Sequence, residues 1–279
     1  MTNNNSIAHA FNSCGTNIDN NILQNLKNNG IQAFFPVQQA VIPVLLRHNT
    51  QSATIPRDIC VSAPTGSGKT ISYAVPIIHI LQRENCPTKR LRALILQPSR
   101  ELALQVFNVI HSLSFNTTVK AEVATGQADY STEKDSLVPP ETNYSIFARS
   151  LDSYQSSESL GRSNVDIMVC TPGRLLEHLQ RTNGFTLQHL RFLVLDEADR
   201  LLGNAYHHWY CSFFSVTLKY SCAFMYISRV RLLLQSSSSS SAASMGSGES
   251  SLSLVKSGPS CRMQRLLFSA TRNYEHVTF

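Results

Sequence analysis

Short apolar runs alternate with amphipathic segments along most of this chain, and that alternation restricts the folds open to it. Helical patterns begin near Gly68, Ser99 and Gly173, each directly after one of the apolar runs. This rhythm is typical of a parallel sheet with crossover helices, so we expect an α/β fold, a three-layer sandwich with a mostly parallel sheet. The carboxyl ends of the strands would then hold the ligand. The runs are "RDICVSA" (57–63), "LRALILQP" (91–98), "VKAEVAT" (119–125), "VDIMVCTP" (165–172) and "LRFLVLDEAD" (190–199).

Charge and cysteine content narrow the class of protein. The formal net charge is +6, from 24 Lys and Arg against 18 Asp and Glu. This surplus is compatible with a polyanionic partner, and a mildly basic solvated surface explains it equally well. The seven cysteines include no C-x-x-C pair and no Cys/His cluster at zinc spacing. They argue for a reducing compartment and against a disulfide scaffold or a structural metal site. The polar N-terminus shows no secretory signal.

The composition indicates one domain, with irregular segments before, within and after it. Residues 1–17 are polar and Asn-rich, and we expect them to be disordered. The domain itself is expected over 18–208, with a surface insertion at 127–164 that is rich in Ser, Thr and Pro. Residues 209–260 are atypical, apolar at first and then Ser-rich, and 261–279 would supply a final strand of the same domain.

The stretch from Trp209 to Arg229 is apolar over a length that could span a membrane. Lys219 lies near its centre, and several serines interrupt it. A charged group in the middle of a membrane span is unfavourable, so a membrane-anchored protein is the weakest of our hypotheses, and we expect no membrane partner.

The segment "APTGSGKT", Ala63–Thr70, has the composition of a phosphate-binding loop. Such a loop needs small residues so that its N–H groups can turn toward phosphates, here Gly66 and Gly68. It also needs a lysine and a hydroxyl, here Lys69 and Thr70. The usual pattern begins with Gly rather than Ala63, and a chance Gly-Lys-Thr turn is the alternative. A predicted strand before the loop and a predicted helix after it favour the anion-binding interpretation.

An acidic pair follows another predicted strand, in "FLVLDEAD". Asp196 at the strand end would bind Mg²⁺, directly or through water. Glu197 is placed to orient or deprotonate the attacking water. The tetrad could instead be a solvated acidic helix start, but the apolar strand before it and the upstream loop weaken that alternative.

Five short motifs occur in an order that identifies a family. The set "APTGSGKT", "PSRELA" (98–103), "TPGR" (171–174), "DEAD" (196–199) and "SAT" (269–271) resembles the first RecA-like domain of DEAD-box RNA helicases. The resemblance covers about residues 20–208 and 261–271. The wording around "FPVQQAVIPVLL" and "TPGRLLEHLQ" is most similar to the nucleolar subgroup linked to assembly of the large ribosomal subunit.

This resemblance implies ATP and Mg²⁺ as ligands and assigns roles residue by residue. Lys69, Asp196 and Glu197 would be catalytic, and Thr70 and Asp196 would hold the metal. Gln38 would read the adenine edge. The remaining nucleotide contacts would come from the loop, and RNA would be gripped through its backbone. The assigned positions are, for the nucleotide, Gln38, Ala63, Thr65, Gly66, Ser67, Gly68, Lys69 and Thr70; for RNA, Pro98, Arg100, Gly126, Thr171, Gly173 and Arg174; for coupling hydrolysis to domain movement, Asp199, Ser269 and Thr271. Helix caps and surface ion pairs are the alternative roles for Arg100 and Arg174.

The chain departs from the family at several points. The aromatic residue expected seventeen positions before the glutamine is Asn21, which predicts either weak adenine stacking or a non-native N-terminal segment. The usual double glycine is Gly126 followed by Gln127, and Ser99 replaces a commoner threonine. No second RecA-like domain is expected after Thr271, so the arginines that such a domain supplies would be missing and the turnover feeble.

Two main hypotheses of function remain from the sequence. The first is the N-terminal half of an ATP-dependent RNA helicase that acts on RNA, with pre-rRNA and ribosome-assembly factors as partners and a nuclear, nucleolar location. The second is a truncated, non-catalytic module that binds ATP or RNA. RNA-stimulated ATP hydrolysis that disappears in Lys69→Ala would exclude the second.

Overall fold

The computed structural model describes residues 7, 11, 17–50, 56–84, 89–139, 163–201 and 263–270. Strands and helices alternate along these ranges, and each strand lies where an apolar run predicted it. The elements are α1 (Asn20–Asn28), α2 (Pro36–Thr50), β1 (Ile59–Ser62), α3 (Lys69–Arg83), β2 (Ala93–Leu96), α4 (Arg100–Leu113), β3 (Ala121–Ala124), α5 (Tyr130–Leu137), β4 (Ile167–Cys170), α6 (Pro172–Arg181), β5 (Phe192–Leu195), α7 (Ala198–Leu201) and β6 (Gln264–Ser269).

The six strands of the described ranges form one sheet in the order β1-β6-β5-β2-β4-β3. Every pairing is parallel, with β2 in the middle between β5 and β4. The prediction of a parallel α/β sheet is confirmed. Because the strands run in one direction, the loops that follow them all leave from the same edge of the sheet.

Both faces of the central strands are buried, so their sequences are apolar without alternation. Ala93 and Ile95 of β2 face one hydrophobic cluster, which includes α3 and α4. Leu94 and Leu96 face a second cluster, which includes α6. Successive side chains of a strand point to opposite faces, so the two clusters are the two halves of the core on either side of the sheet. They account for the three-layer arrangement.

Two segments differ from the sequence-based expectation. Within the expected surface insertion, α5 forms a helix that buries Glu133 and Leu137. Near the N-terminus, where we expected disorder, Ile7 and Phe11 are buried in the core. In both cases one or two side chains reach into the domain from a polar stretch, and no local periodicity announces such a contact. The expectations for 209–260 and for Thr271 lie outside the described residues.

Within the described ranges, no helix combines the length and the apolar character needed to cross a membrane. The apolar stretch 209–229 lies outside those ranges.

A buried ion pair ties strands together at the edge opposite the loops described above. Asp166, which is 1% exposed, accepts from Arg92 Nη2 at 2.7 Å and from Lys89 Nζ at 2.9 Å. Its second oxygen also accepts from the Lys120 backbone N–H at 3.0 Å. Arg92 also donates to the carbonyl of Leu81 on α3 at 3.0 Å, so its guanidinium bonds a helix as well as Asp166. Removing one partner of such a pair leaves an uncompensated buried charge.

We therefore expect Asp166→Ala to lower the free energy of unfolding by about 3–5 kcal/mol, because it leaves the buried Arg92 with only Glu84, at 3.3 Å, as a carboxylate partner. Urea denaturation monitored by circular dichroism measures this change. The control is Asp135→Ala on α5, where the side chain is exposed and a change within about 0.5 kcal/mol is expected. Equal effects of the two substitutions would contradict the structural role of Asp166.

The burial of a second polar group, His79, predicts that the stability of the fold depends on pH. His79 is 2% exposed and packs edge-on against Phe11, with 5.2 Å between ring centroids. Neither ring nitrogen has a hydrogen-bond partner among the described residues. Burial first, and then the charge of the nearby Arg83, lower the pKa of His79 from its usual 6.5 to about 4, against a smaller opposing effect of Asp19. The folded protein therefore holds this imidazole neutral, whereas the unfolded chain protonates it more readily.

The stability that depends on neutral His79 is complete above the unfolded pKa and is lost as the pH falls toward 4. Between pH 7 and pH 4.5 the free energy of unfolding should fall by about 2–3 kcal/mol more in the unmodified chain than in His79→Leu. Denaturant titrations at the two pH values measure the difference. His111→Leu, at an exposed histidine, is the matched control and should keep the full pH dependence. A pH profile unchanged by His79→Leu would contradict this assignment.

Candidate functional site

The carboxyl edge of the sheet gathers every motif that the sequence singled out within the described residues. The segment Ala63–Gly68 follows β1, and Asp196 and Glu197 follow β5. Pro98 and Arg100 follow β2, Gly126 follows β3, and the segment Thr171–Arg174 follows β4. Ser269 ends β6, and its carbonyl accepts from the Ala63 backbone N–H at 3.0 Å. The parallel strands thus bring together segments that are far apart in the chain.

The phosphate-loop candidate turns through two glycines with left-handed backbone. Gly66 has φ 79° and Gly68 has φ 82°. Gly68 is the N-cap of α3, and no side chain caps this helix end, so its backbone N–H groups are available to an anion. A Cβ on Gly68 would lie 2.2 Å from Gln38 Nε2. Glycine is required here both for the φ angle and for this close approach.

Lys69 begins α3 and lies under the loop. It is 7% exposed, and its Nζ donates to the carbonyls of Ala63 at 2.8 Å and of Pro64 at 3.2 Å. These bonds hold the ammonium against the phosphate-loop candidate. The arrangement can exchange two neutral acceptors for charged phosphate oxygens, which form stronger hydrogen bonds with an ammonium.

Asp196 is a buried carboxylate held by three donors. Its Oδ2 accepts from Tyr73 Oη and from Gln97 Nε2, each at 2.9 Å, and its Oδ1 accepts from the Glu197 backbone N–H at 3.0 Å. Burial, and then the Asp196 charge, raise the pKa of Tyr73 well above its usual value, so the phenol keeps the proton that it donates. The sequence reasoning missed Tyr73 and Gln97. Their signal was positional, since Tyr73 lies one helical turn after Lys69 and Gln97 directly follows β2.

Glu197 adopts a left-handed backbone conformation, with φ 51°. For a residue with a side chain this conformation is unfavourable by about 1–2 kcal/mol, and such strain concentrates at functional sites. Its side chain is 15% exposed. The backbone preference of Glu197 opposes this turn, so the surrounding structure holds the residue next to Asp196.

Gln38 connects the start of α2 to the loop. Its Oε1 accepts from the Phe35 backbone N–H at 2.9 Å, and its Nε2 donates to the Gly68 carbonyl at 3.1 Å. The two contacts fix the orientation of the amide, because only the NH₂ can donate to a carbonyl. One N–H of Gln38 and one lone pair of its oxygen are not used by these two contacts, and the side chain is 1% exposed.

A pocket of about 290 Å³ opens beside this glutamine. Its walls come from the segment before α2 and from the phosphate-loop candidate. Phe35, which is 57% exposed, is the large side chain in its lining. The lining residues are Phe35, Pro36, Val37, Ala63, Pro64, Gly66 and Ser67.

A second carboxylate, Glu133 of α5, joins the loop after β3 to α6. Its Oε1 accepts from the backbone N–H of Gly126 at 2.9 Å and of Thr125 at 3.2 Å. Its Oε2 accepts from Arg174 Nε at 2.6 Å and lies 3.3 Å from His178 Nε2. Burial would raise the pKa of Glu133, but hydrogen bonds from Arg174, Gly126 and His178 outweigh it and lower that pKa. Sequence reasoning missed Glu133 and His178.

The candidate RNA residues differ in exposure. Arg174 is held by Glu133 and, through Nη1, by Glu177 at 2.5 Å, which is the ion-pair alternative considered for it from the sequence. Arg100 and Gly173 are exposed, each in the first turn of a helix. Thr171 is the N-cap of α6 without a side-chain cap hydrogen bond. Pro98 is buried, so it shapes the loop after β2 rather than offering a surface.

One of the coupling candidates, Ser269, lies directly beside the phosphate-loop candidate. Ser269 is 1% exposed and pairs in register with Ser62, directly before the loop. Asp199 lies on α7, which packs against β6. Thr271 lies outside the described residues. The structure therefore places two of the three candidates on adjoining elements.

A metal ion would need ligands beyond the protein here. Among the described residues, no group of three His, Cys, Asp or Glu side chains is arranged to hold one. Thr70 and Asp196 are oxygen donors of the kind that Mg²⁺ prefers, and Mg²⁺ commonly completes its shell with water and phosphate oxygens. The residues present fit such an ion bound together with a triphosphate.

Comparison with known proteins gives a consistent result. A family model described as "DEAD/DEAH box helicase" matches residues 35–278. ATP-dependent RNA helicase DDX51 of Mus musculus is 35% identical over 258 residues, which cover 88% of this chain and 35% of that protein. DEAD-box ATP-dependent RNA helicase 1 of Arabidopsis thaliana is 45% identical over 186 residues, 66% of this chain and 34% of that protein.

Among solved structures, a DEAD box protein from Methanococcus jannaschii matches with a TM-score of 0.57 and 26% identity. The match covers 91% of this chain and 48% of that one. The chain spans about a third of the length of the mouse and Arabidopsis relatives. The family model covers most of the chain, and the motifs gathered at the sheet edge agree with this match. The chain belongs to the DEAD/DEAH box helicase family.

Proposed function

We propose that this chain is the ATP-binding part of an ATP-dependent RNA helicase. The observation that carries the proposal is the convergence of three groups at one sheet edge. These are the Lys69 ammonium over its loop, the Asp196 carboxylate held by Tyr73 and Gln97, and the Gln38 amide. A triphosphate, a metal-binding acid and a base-reading amide are the parts that an ATPase of this kind needs.

Each residue has a defined task in this proposal. Lys69 would leave its loop carbonyls and bind phosphate oxygens, while the N–H groups at the start of α3 would bind the same anion. Thr70 and Asp196 would hold Mg²⁺, which when bound would neutralise charge on the triphosphate. Tyr73 and Gln97 hold the Asp196 carboxylate in one orientation. Glu197 would orient or deprotonate the attacking water.

The fixed Gln38 amide supports adenine as the base. Its remaining N–H donor suits the acceptor N7 of a purine, and its remaining lone pair suits the exocyclic amino group of adenine. Guanine carries an acceptor at that position, and this acceptor would face the Gln38 oxygen. Selectivity for ATP over GTP would follow from the two contacts that Phe35 and Gly68 make with the amide.

RNA would be bound along the loops after β2, β3 and β4. Arg100 is exposed in the first turn of α4, and the first turn of α6 presents Gly173. Helix N-termini and arginines bind phosphates without reading bases, as a helicase requires. Glu133 would act here as a positioning residue, since it ties Gly126 and Arg174 together.

The whole relatives extend well beyond this chain, so unwinding, substrate and location are part of the proposal. Both relatives are named ATP-dependent RNA helicases. Together with the resemblance to the nucleolar subgroup, this supports a role in ribosome biogenesis, with pre-rRNA and ribosome-assembly factors as partners in the nucleolus.

Nucleotide binding by the 279-residue chain tests the proposal directly. We expect competition with a fluorescent ATP analogue to show Mg²⁺-dependent ATP binding, weakened about tenfold or more in Lys69→Ala, because the main cation at the phosphates is lost. Glu197→Gln should keep binding and abolish any RNA-stimulated hydrolysis. Unchanged ATP affinity in Lys69→Ala would refute the proposal. ATP binding without hydrolysis by the unmodified chain would instead favour the non-catalytic module.

A pair of glycine substitutions separates the loop geometry from general strain. Gly68→Ala should lower ATP affinity about tenfold or more, because the new methyl group collides with Gln38 and displaces the base-reading amide. Gly30 has a similar φ, 74°, but a Cβ there meets nothing within 4 Å. Gly30→Ala should therefore reduce stability by about 1 kcal/mol and leave ATP affinity unchanged. Equal losses of ATP affinity in the two variants would contradict the role assigned to Gly68.

A further inference from the structure

Phe35 is an exposed aromatic side chain next to the candidate nucleotide site, and none of the motifs assigns it a role. It is 57% exposed and contributes to the walls of the pocket beside the phosphate-loop candidate. Phe115 is similarly exposed, at 60%, but it follows α4 and does not line this pocket. A single exposed ring is unremarkable on a protein surface. Its position at a ligand pocket is what requires an account.

The exposure of Phe35 does not come from a loose backbone. Its N–H donates to Gln38 Oε1 at 2.9 Å, and its carbonyl accepts from the Gln39 N–H at 3.0 Å. The preceding Phe34 is 3% exposed in the core, and its carbonyl accepts from the Gln39 side chain at 2.7 Å. The following residue, Pro36, begins α2. The ring is therefore presented at the pocket from a backbone that is fixed on both sides.

The ring also lies close to the loop that would bind the phosphates. A Cβ built on Gly68 would be 3.1 Å from Phe35 Cδ2, so the ring edge approaches the Gly68 backbone. Gln38 bonds both of these residues through its amide. Gln38 itself is 1% exposed and does not line the pocket, whereas its neighbours Pro36 and Val37 do. A base that reached the remaining Gln38 N–H would therefore lie beside the Phe35 ring. An aromatic ring and a purine in face-to-face contact gain free energy by stacking.

The position expected to stack adenine cannot do so in this chain. Asn21 is exposed on α1, and its backbone N–H bonds the Asp19 side chain at 2.8 Å as part of the helix cap. An amide of this size offers no aromatic face. The base would lack a platform unless another residue supplies one.

We propose that Phe35 is the stacking platform for the adenine base of the bound nucleotide, in place of an aromatic residue at position 21. This inference rests on the proposed function, because it assumes ATP at the phosphate loop. Phe35 contributes affinity for the base without reading its edge, and Gln38 supplies the selectivity. Because stacking does not involve the phosphates, the effect should be the same for ATP and ADP.

Binding measurements on the 279-residue chain test the platform. Phe35→Ala should weaken ATP and ADP by about tenfold each, as expected for loss of one base–aromatic stack. Its affinity for inorganic tripolyphosphate, which has no base, should not change. Phe35→Tyr should restore nucleotide affinity. Phe115→Ala is the matched control at an equally exposed ring, and neither it nor Asn21→Ala should alter binding.

A spectroscopic experiment reports on the contact itself. The chain has one tryptophan, Trp209, so Phe35→Trp in a Trp209→Phe background carries a single indole. Its fluorescence should be quenched by ATP and by ADP but not by tripolyphosphate, because only the nucleotides bring a base onto the ring.

The outcomes separate this inference from the proposed function. If the unmodified chain binds neither ATP nor tripolyphosphate, the proposed function fails and the platform with it. If the unmodified chain binds ATP but Phe35→Ala binds it equally well, only the platform is refuted. A loss of tripolyphosphate affinity in Phe35→Ala would also refute it, since the ring would then be supporting the loop. Weaker binding in Asn21→Ala than in Phe35→Ala would assign the base to α1 instead.

Discussion

Parallel hydrogen bonding among six strands is the constraint on which the site depends. The central strand β2 lies between β5 and β4 and pairs with both over its whole length. All the strands end at one edge, so every loop that follows a strand begins there. Ala63 and Ser269, which are separated by a long stretch of chain, are adjacent for this reason. A parallel sheet buried on both faces is also what demands the apolar strand sequences.

Two buried carboxylates stabilise this edge, and each of them joins a different set of loops through hydrogen bonds. Asp196 joins α3 and the end of β2 to the turn after β5, through Tyr73 and Gln97. Glu133 joins the turn after β3 to α6, through Gly126 and Arg174. In each case a charge that would be unfavourable in the interior is stabilised by several donors. The nucleotide side and the proposed RNA side are thus each held by one acid, and the central strands connect them.

The residues recognised from sequence were those whose local order is informative. The glycines around Lys69, the strand before Asp196 and the start of α4 near Ser99 all lie where the patterns predicted them. The residues that were missed act through partners distant in sequence. Tyr73 contacts Asp196 across more than a hundred residues, and its position one helical turn after Lys69 does not by itself reveal that partner.

The same distinction explains the two differences in the fold. Phe11 contacts His79, and Glu133 contacts Arg174, although both lie in stretches whose composition predicted disorder or a surface excursion. Polar composition describes the average environment of a segment. It does not reveal that one side chain within it reaches the core.

The sequence by itself determined the class of fold, the phosphate-loop candidate, the acidic pair and the family, because each depends on residues that are neighbours in the chain. Tertiary structure alone decided which donors hold Asp196, that Arg174 is engaged by Glu133, and that Phe35 lies beside Gln38 and Gly68. The physical reason is that hydrogen bonds and ring contacts depend on distances of a few ångströms. The packing of helices on the sheet sets those distances, and the order of residues does not.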